Sequence, residues 1–195
     1  MLAYDADLEL FRDNFKRFMS EYIAPHYEKW EREGIMPRSV WTLLGENGFL
    51  CVDVPEEYGG YGVPTHYSLM LVEESARAGY CALSTGISCH SEIAAPYIQH
   101  IGSEEQKQYW LPKMVSGEVV GAIGMTEPGA GSDLQAMRTS AILQGDHYVL
   151  NGSKTFISNG QHADVVVLAV KTDPQARAKG VSLLLVDTHL EGFKK

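Results

Sequence analysis

The sequence is short of cysteine, of basic clusters and of long apolar runs, and each shortage removes a class of protein. Only three cysteines occur, Cys51, Cys81 and Cys89. An odd number at irregular spacing fits neither a paired disulfide framework nor a zinc knuckle, so a reducing compartment is expected. No Lys/Arg run is longer than the terminal Lys194-Lys195, and 16 Lys+Arg stand against 25 Asp+Glu, a formal net charge of −9. A field of that sign repels phosphate backbones, which argues against nucleic acid as a partner. The longest purely apolar run, Val165 to Val170, is far below the roughly 20 residues of a spanning helix, so no membrane span is expected. The opening Met1-Leu2-Ala3-Tyr4-Asp5 is acidic and quickly polar; it has neither a secretory nor a transit-peptide pattern, and a cytoplasmic location is expected. The histidines show no H-x-x-x-H or HExxH spacing, so no metal site is assigned.

What is present is ample for a packed core: 195 residues, 45% of them hydrophobic, predict one or two domains. Leu8, Phe11, Phe15, Phe18 and Tyr22 recur at helical steps, and the helix they predict is expected to kink or end at Pro25. A charged segment then stops near Gly34. Ser39 is a candidate cap for a short helix carrying Val40, Trp41, Leu43 and Leu44, with Gly48 as its left-handed terminator. The stretch Pro55-Glu56-Glu57-Tyr58-Gly59-Gly60 opens a loop. Thr65 begins a helix expected to turn Leu69, Val72 and Ala76 inward, a further helix spans roughly Ser84 to His100, and Ser103-Glu104-Glu105-Gln106 is a capping-box pattern.

After Gly117 the texture changes to strands. Val119 to Met125, Thr139 to Leu143, His147 to Leu150, Asp164 to Lys171 and Val181 to Asp187 are short apolar or alternating runs, and Asn151-Gly152 signals a hairpin into Ser153 to Ile157. The fold class is therefore α+β: an N-terminal all-α domain, residues 1–117, followed by an antiparallel β-barrel or sandwich, residues 118–195, incomplete at its C-terminus.

Chemistry is concentrated in Gly121-Ala122-Ile123-Gly124-Met125-Thr126-Glu127-Pro128-Gly129-Ala130-Gly131-Ser132-Asp133, a strand that opens into a Gly/Pro-rich loop. Glycines there permit positive φ and close backbone approach to a ligand. Leu134 stands where a dinucleotide fingerprint needs its third glycine, and no Gly-Lys-Ser/Thr follows for a phosphate-binding loop. Read alone, the segment is a ligand loop or a simple turn.

The run Met125 to Asp133 resembles the flavin-loop signature of the acyl-CoA dehydrogenase family, and Asn151-Gly152-Ser153-Lys154-Thr155-Phe156-Ile157-Ser158-Asn159-Gly160 resembles its second flavin-contacting segment. The similarity covers essentially the whole chain and leans toward the long-chain branch. It implies an FAD-dependent oxidation of an acyl-CoA thioester to the trans-2-enoyl-CoA, with electron-transferring flavoprotein as electron acceptor and a homotetramer as the full-length assembly. By position it implies FAD contacts at Ile123, Met125, Thr126, Gly131, Ser132, Phe156, Ile157 and Ser158, with Ser132 also near the substrate. Phe156 and Ser158 stand where many members carry Trp and Thr; an aromatic face and a hydroxyl are kept in both places.

The resemblance also implies that the catalytic glutamate lies beyond Lys195, so no catalytic residue is assigned here and the 195 residues alone are expected to be inactive. Glu73, Glu74 and Glu127 are local carboxylates weighed as a base and set aside. Two other readings stand beside the flavoenzyme: a non-catalytic docking module of the same fold, presenting Phe15, Phe18, Leu69 and Leu71, and an acyl-CoA oxidase-like flavoprotein.

Overall fold

The computed structural model describes residues 6–195, which divide into two compact units between Val119 and Val120. The acidic opening, residues 1–5, lies outside the described residues.

The first unit is helical. Helix α1 (Ala6–Phe18) does not stop at Pro25 but passes through a π turn, Met19–Ile23, into α2 (Ala24–Glu33). Proline has no N–H and its ring crowds the carbonyl four residues back. The chain answers with a wider turn, in which the Ala24 N–H donates five residues back to Met19 O. The same device recurs at Pro96. Helix α5 (Cys81–Ile87) widens into a π turn, Ser88–Ala94, with the Ala95 N–H on His90 O, and continues as α6 (Ala95–Ile101). A π turn advances less rotation per residue than an α turn, and the predicted apolar stripe loses phase there: Leu8, Phe15 and Phe18 are buried while Tyr22 is 45% exposed. Gly34, at φ +74°, ends α2 in a left-handed cap.

Phe49, just past α3 (Ser39–Glu46), is the hub of an aromatic cluster, with Phe11, Phe15 and Phe18 at centroid distances of 5.5, 4.9 and 5.1 Å. Ser39 does not cap α3; Arg38 occupies that position without a side-chain cap bond. The Arg38 guanidinium instead donates to the carbonyls of Gly117 and Glu118 at 2.9 and 2.6 Å. Two glycines let these segments touch. A Cβ at Gly45 would overlap the Ser116 carbonyl, and one at Gly117 would overlap that of Trp41.

Helix α4 (His66–Arg77) presents a different face from the expected one. Ser68, Met70, Leu71, Glu74 and Ser75 are buried, whereas Leu69 is 54% exposed and Ala76 exposed. The reason is electrostatic: Glu74 turns inward to meet Arg12 at 3.4 Å and Lys16 at 3.6 Å on α1, an inward charge that hydrophobic periodicity cannot register. Phe15, Phe18 and Leu71 are accordingly core, not a docking face. Helix α7 (Glu104–Val115) opens with the predicted capping box, Ser103 and Gln106 satisfying each other's amides.

The second unit is the expected β-domain, a five-stranded sheet whose pairing is mixed and not purely antiparallel. Its centre is β4 (Val165–Lys171), whose residues Val165 to Val170 are all buried, the near-continuous apolar run of a strand covered on both faces. Strand β1 (Gly121–Gly124) runs parallel to it from Gly121↔Val165, and β5 (Val181–Asp187) pairs antiparallel along its whole length. Strand β2 (Ser140–Gln144) meets the far end of β4 at Ser140↔Lys171 and forms a hairpin with β3 (His147–Asn151) around Gly145, at φ +64°. The parallel pairing is possible because the β2–β3 hairpin and two long loops separate β1 from β4, room enough for the crossover that parallel strands require. Asn151-Gly152 does not make a hairpin and Ser153 to Ile157 is not a strand. A Cβ at Gly152 would overlap Thr139, so the glycine serves close packing instead of a two-residue turn.

Two outcomes are expected for the helical unit. Gly45→Ala forces the Ser116 backbone away from α3 and should cost about 1–3 kcal/mol in urea unfolding. Glu92 lies in the second π turn, takes a short hydrogen bond from Ser68, and is raised to about 7 by burial first and by Asp53 second. Because its folded pKa exceeds the unfolded value, the stabilisation is complete below about pH 4.5 and is lost as pH rises through 7. Glu92→Gln should therefore stabilise the chain at pH 8 by about 1–2 kcal/mol, with solvent screening of this half-exposed group already discounted, and change nothing at pH 4.

Candidate functional site

The first loop leaves β1 at Gly124 and closes on itself at once. The Glu127 N–H donates to Ala130 O at 2.9 Å and the Ala130 N–H returns to Glu127 O at 3.1 Å, a tight turn holding Pro128 and Gly129 at its tip. Gly129 and Gly131 do not use positive φ as their composition suggested. What they provide is room, for a Cβ built on either would meet no atom within 4 Å. Beyond them Asp133 accepts from the Gln135 N–H at 3.2 Å and starts a single helical turn, Leu134–Ala136.

The second segment, residues 152–160, is held against the first. The Thr155 N–H donates to Thr126 O at 2.9 Å, and Lys154 Nζ donates to Met125 O at 3.0 Å. The left-handed conformations lie here, at Phe156 (φ +57°) and Asn159 (φ +62°). Such a backbone carries steric strain for a non-glycine residue, so tertiary contacts must hold it. Asn159 is fixed by its side chain on Gly121 O at 3.3 Å, while its own carbonyl accepts from the His162 and Ala163 amides. Ile157 packs on the sheet core formed by Ala122, Ala163, Val166 and Leu168. Phe156, one residue earlier, points its ring into solvent and is 92% exposed.

Glu127 ties the two segments to β2. Its carboxylate takes Lys154 Nζ at 2.9 Å and the amides of Arg138 and Thr139 at 2.7 and 3.0 Å. Both side chains of the ion pair are buried, 6% exposed for Glu127 and 8% for Lys154. Burial raises the Glu127 pKa, but Thr139, the two amides and the Lys154 ammonium outweigh it and draw it down to about 2. A carboxylate so engaged is a structural anion, and no proton-abstracting role is open to it. Glu73 is an exposed partner of Arg77, and Glu74 is engaged by the cations of α1.

Of the residues singled out from sequence, Ile123, Met125, Thr126 and Ile157 are half-buried, while Gly131, Ser132, Phe156 and Ser158 are exposed or nearly so. Hydrogen bonding joins the Met125–Thr126 backbone to Lys154 and the Thr155 backbone; Gly131 and Ser132 lie further along the loop. Among the described residues no group of three His, Cys, Asp or Glu could hold a metal. Sequence reasoning gave Lys154 no role, although both members of the ion pair stand inside the two motifs. The donor set suits a flat, hydrogen-bonding aromatic ligand: an uncovered ring at Phe156, half-buried backbone at Met125–Thr126 and an unobstructed glycine loop. FAD meets that description.

The Glu127 anchor sets an acid limit and a mutational one. Its lowered pKa contributes about 3 kcal/mol, present above about pH 4.5 and lost as pH falls toward 2. Glu127→Leu strands the Lys154 ammonium and two amides, so urea unfolding at pH 7 should show a loss of about 3–5 kcal/mol.

Residues 5–118 match "Acyl-CoA dehydrogenase, N-terminal domain" and residues 122–195 match "Acyl-CoA dehydrogenase, middle domain". The chain is 41% identical over 194 residues to the long-chain specific acyl-CoA dehydrogenase, mitochondrial, of Sus scrofa, covering 98% of this chain and 45% of that protein. It superposes on a crystal structure of acyl-CoA dehydrogenase from Geobacillus kaustophilus with a TM-score of 0.94 at 49% identity, over 98% of this chain and 50% of that one. A glutaryl-CoA dehydrogenase from Mycobacterium smegmatis in complex with FADH2 matches at a TM-score of 0.89 and 30% identity, over 98% and 48%. The chain thus spans about half the length of the relatives it matches. No described helix is long and apolar enough to cross a membrane. With both domain profiles, this sequence identity and the shared fold in agreement, the chain belongs to the acyl-CoA dehydrogenase family.

Proposed function

We propose that this chain supplies the helical domain and the flavin-facing part of the β-domain of an FAD-dependent oxidoreductase acting on a CH–CH bond of an acyl-CoA thioester, giving the trans-2-enoyl-CoA. The observation that carries this reading is Phe156: a ring 92% in solvent, on a left-handed backbone, within the second of two segments cross-linked by hydrogen bonds. An aromatic side chain so displayed gains from a flat partner laid against it.

FAD, when bound, supplies the acceptor for the hydrogen that leaves the β-carbon as hydride. The protein's part is binding and electrostatics. The Met125 backbone and Thr126 are assigned to the flavin edge where negative charge grows on reduction, since fixed donors there lower the barrier without reorganising. Ile123 and Ile157 flank this edge, Ser158 offers a hydroxyl to the ring and Phe156 its face. Gly131 and Ser132 are assigned to the cofactor's pyrophosphate, Ser132 also to the CoA ester. Both ligands are anionic while the chain carries −9, so local amides and hydroxyls must work against the global field. The catalytic base is assigned to sequence beyond Lys195. Electron-transferring flavoprotein as acceptor and a homotetrameric whole protein are carried over from the family resemblance. Cys51, Cys81 and Cys89 are not joined in disulfides, in keeping with a reducing compartment, and the cytoplasm is our reading of it.

The test is anaerobic addition of acyl-CoA thioesters to the complete protein loaded with FAD. Bleaching of the flavin absorbance is expected; no flavin uptake and no bleaching with any chain length overturns the proposal. Phe156→Ala should weaken FAD by about tenfold in a fluorescence titration while leaving the thermal unfolding curve in place. The 195 residues alone should bind FAD weakly, and stoichiometric yellow cofactor on this purified chain would contradict that.

A further inference from the structure

The geometry points to the buried Lys154–Glu127 pair as the positioning device that sets the direction of the Thr126 amide, a role that rests on the flavin reading above. Thr126 sits between two peptide planes, and the second segment holds both. On the N-terminal side the Met125 carbonyl accepts from Lys154 Nζ at 3.0 Å; on the C-terminal side the Thr126 carbonyl accepts from the Thr155 N–H at 2.9 Å. In a planar trans peptide the carbonyl and the following N–H point in opposite directions. Holding the Met125 oxygen toward Lys154 therefore turns the Thr126 N–H away from Lys154. By the same rule the Glu127 N–H, opposite the Thr126 carbonyl, is directed to Ala130 O, where it bonds at 2.9 Å. The φ and ψ of Thr126 are thus fixed by partners outside the residue.

Charge adds to orientation. An ammonium on the Met125 oxygen polarises the peptide and makes its N–H a stronger donor, which suits a site where negative charge accumulates. An ammonium this buried needs a counter-charge, and Glu127 at 2.9 Å is that partner. Glu127 is in turn seated on the Arg138 and Thr139 amides that lead into β2. The aim of one amide is thereby referred to the rigid sheet. Lys154 and Glu127 are positioning residues in this scheme, acting through the Met125–Thr126 peptide.

The test reads amide resonances and exchange on the 195-residue chain labelled with ¹⁵N, and FAD affinity on the complete protein carrying the same substitutions. Lys154→Met combined with Glu127→Gln removes both charges together, so no buried charge is stranded, and the side-chain carbonyl that Glu127→Gln retains can still accept from an amide of Arg138 or Thr139. Expected are a retained cooperative melt, a shifted Thr126 amide resonance, Thr155 amide exchange at least tenfold faster, and FAD bound at least tenfold more weakly. A folded double variant with native Thr155 exchange, or with loosened Thr155 but unchanged FAD affinity, overturns the proposal. Should the double variant not fold, Lys154→Arg keeps the charge and changes only donor geometry: the Thr126 resonance should shift at constant melting temperature, and an unshifted resonance overturns the proposal. Loosening of Thr155 in the double variant, with a complete unsubstituted protein that takes up no FAD, upholds the clamp and sinks the flavin reading instead.

Discussion

One buried ion pair organises everything in the β-unit that bears on chemistry. Glu127 and Lys154 are 27 positions apart, nearly dry, and 2.9 Å from each other. Each satisfies further groups, the carboxylate the two amides that lead into β2 and the ammonium the Met125 carbonyl. An isolated buried charge is far too costly to persist, so the two motifs that carry these residues must meet or the unit does not form. The meeting brings the Thr126 carbonyl onto the Thr155 amide and leaves Phe156 displayed beside it.

The helical unit solves a different problem, that of running long helices through prolines. At both Pro25 and Pro96 a preceding π turn absorbs the missing hydrogen bond, and the helix continues with a changed phase. The consequence reaches side chains several residues away. Tyr22 falls outside the stripe that its spacing predicts, and the second π turn carries Glu92 to Ser68 and Ser91 to Cys51. Contacts at Gly45 and Gly117 add a tolerance-free interface between α3 and the end of α7, where a single methyl group is too much.

Much of this was legible in the chain. The stretch Asp164 to Lys171 declared a strand, Ser103 and Gln106 declared a capped helix, and Gly34 and Gly48 declared helix ends that prove left-handed. The two flavin-like motifs were visible as glycine-rich punctuation around a strand. Misreadings share one cause, a local preference overruled by a partner distant in sequence. Asn151-Gly152 has the chemistry of a hairpin, yet Gly152 is needed where the chain packs on Thr139. The inward face of α4 was misjudged because two cations on α1 draw Glu74 inside. The direction of the strands was misjudged because alternation fixes which side chains share a face but carries no information about which strand lies alongside, or in which sense.

The sequence by itself determined the two-part α then β organisation, most element positions and the family to which the chain belongs, because helix periods, caps, turn residues and short motifs are local properties. Tertiary structure alone decided the parallel pairing of β1 with β4, the phase of the helices after their π turns, and the Lys154–Glu127 clamp that gives the Thr126 peptide its direction. Each of those is settled by which buried polar group finds which distant partner, and that competition is resolved only when the whole chain has folded.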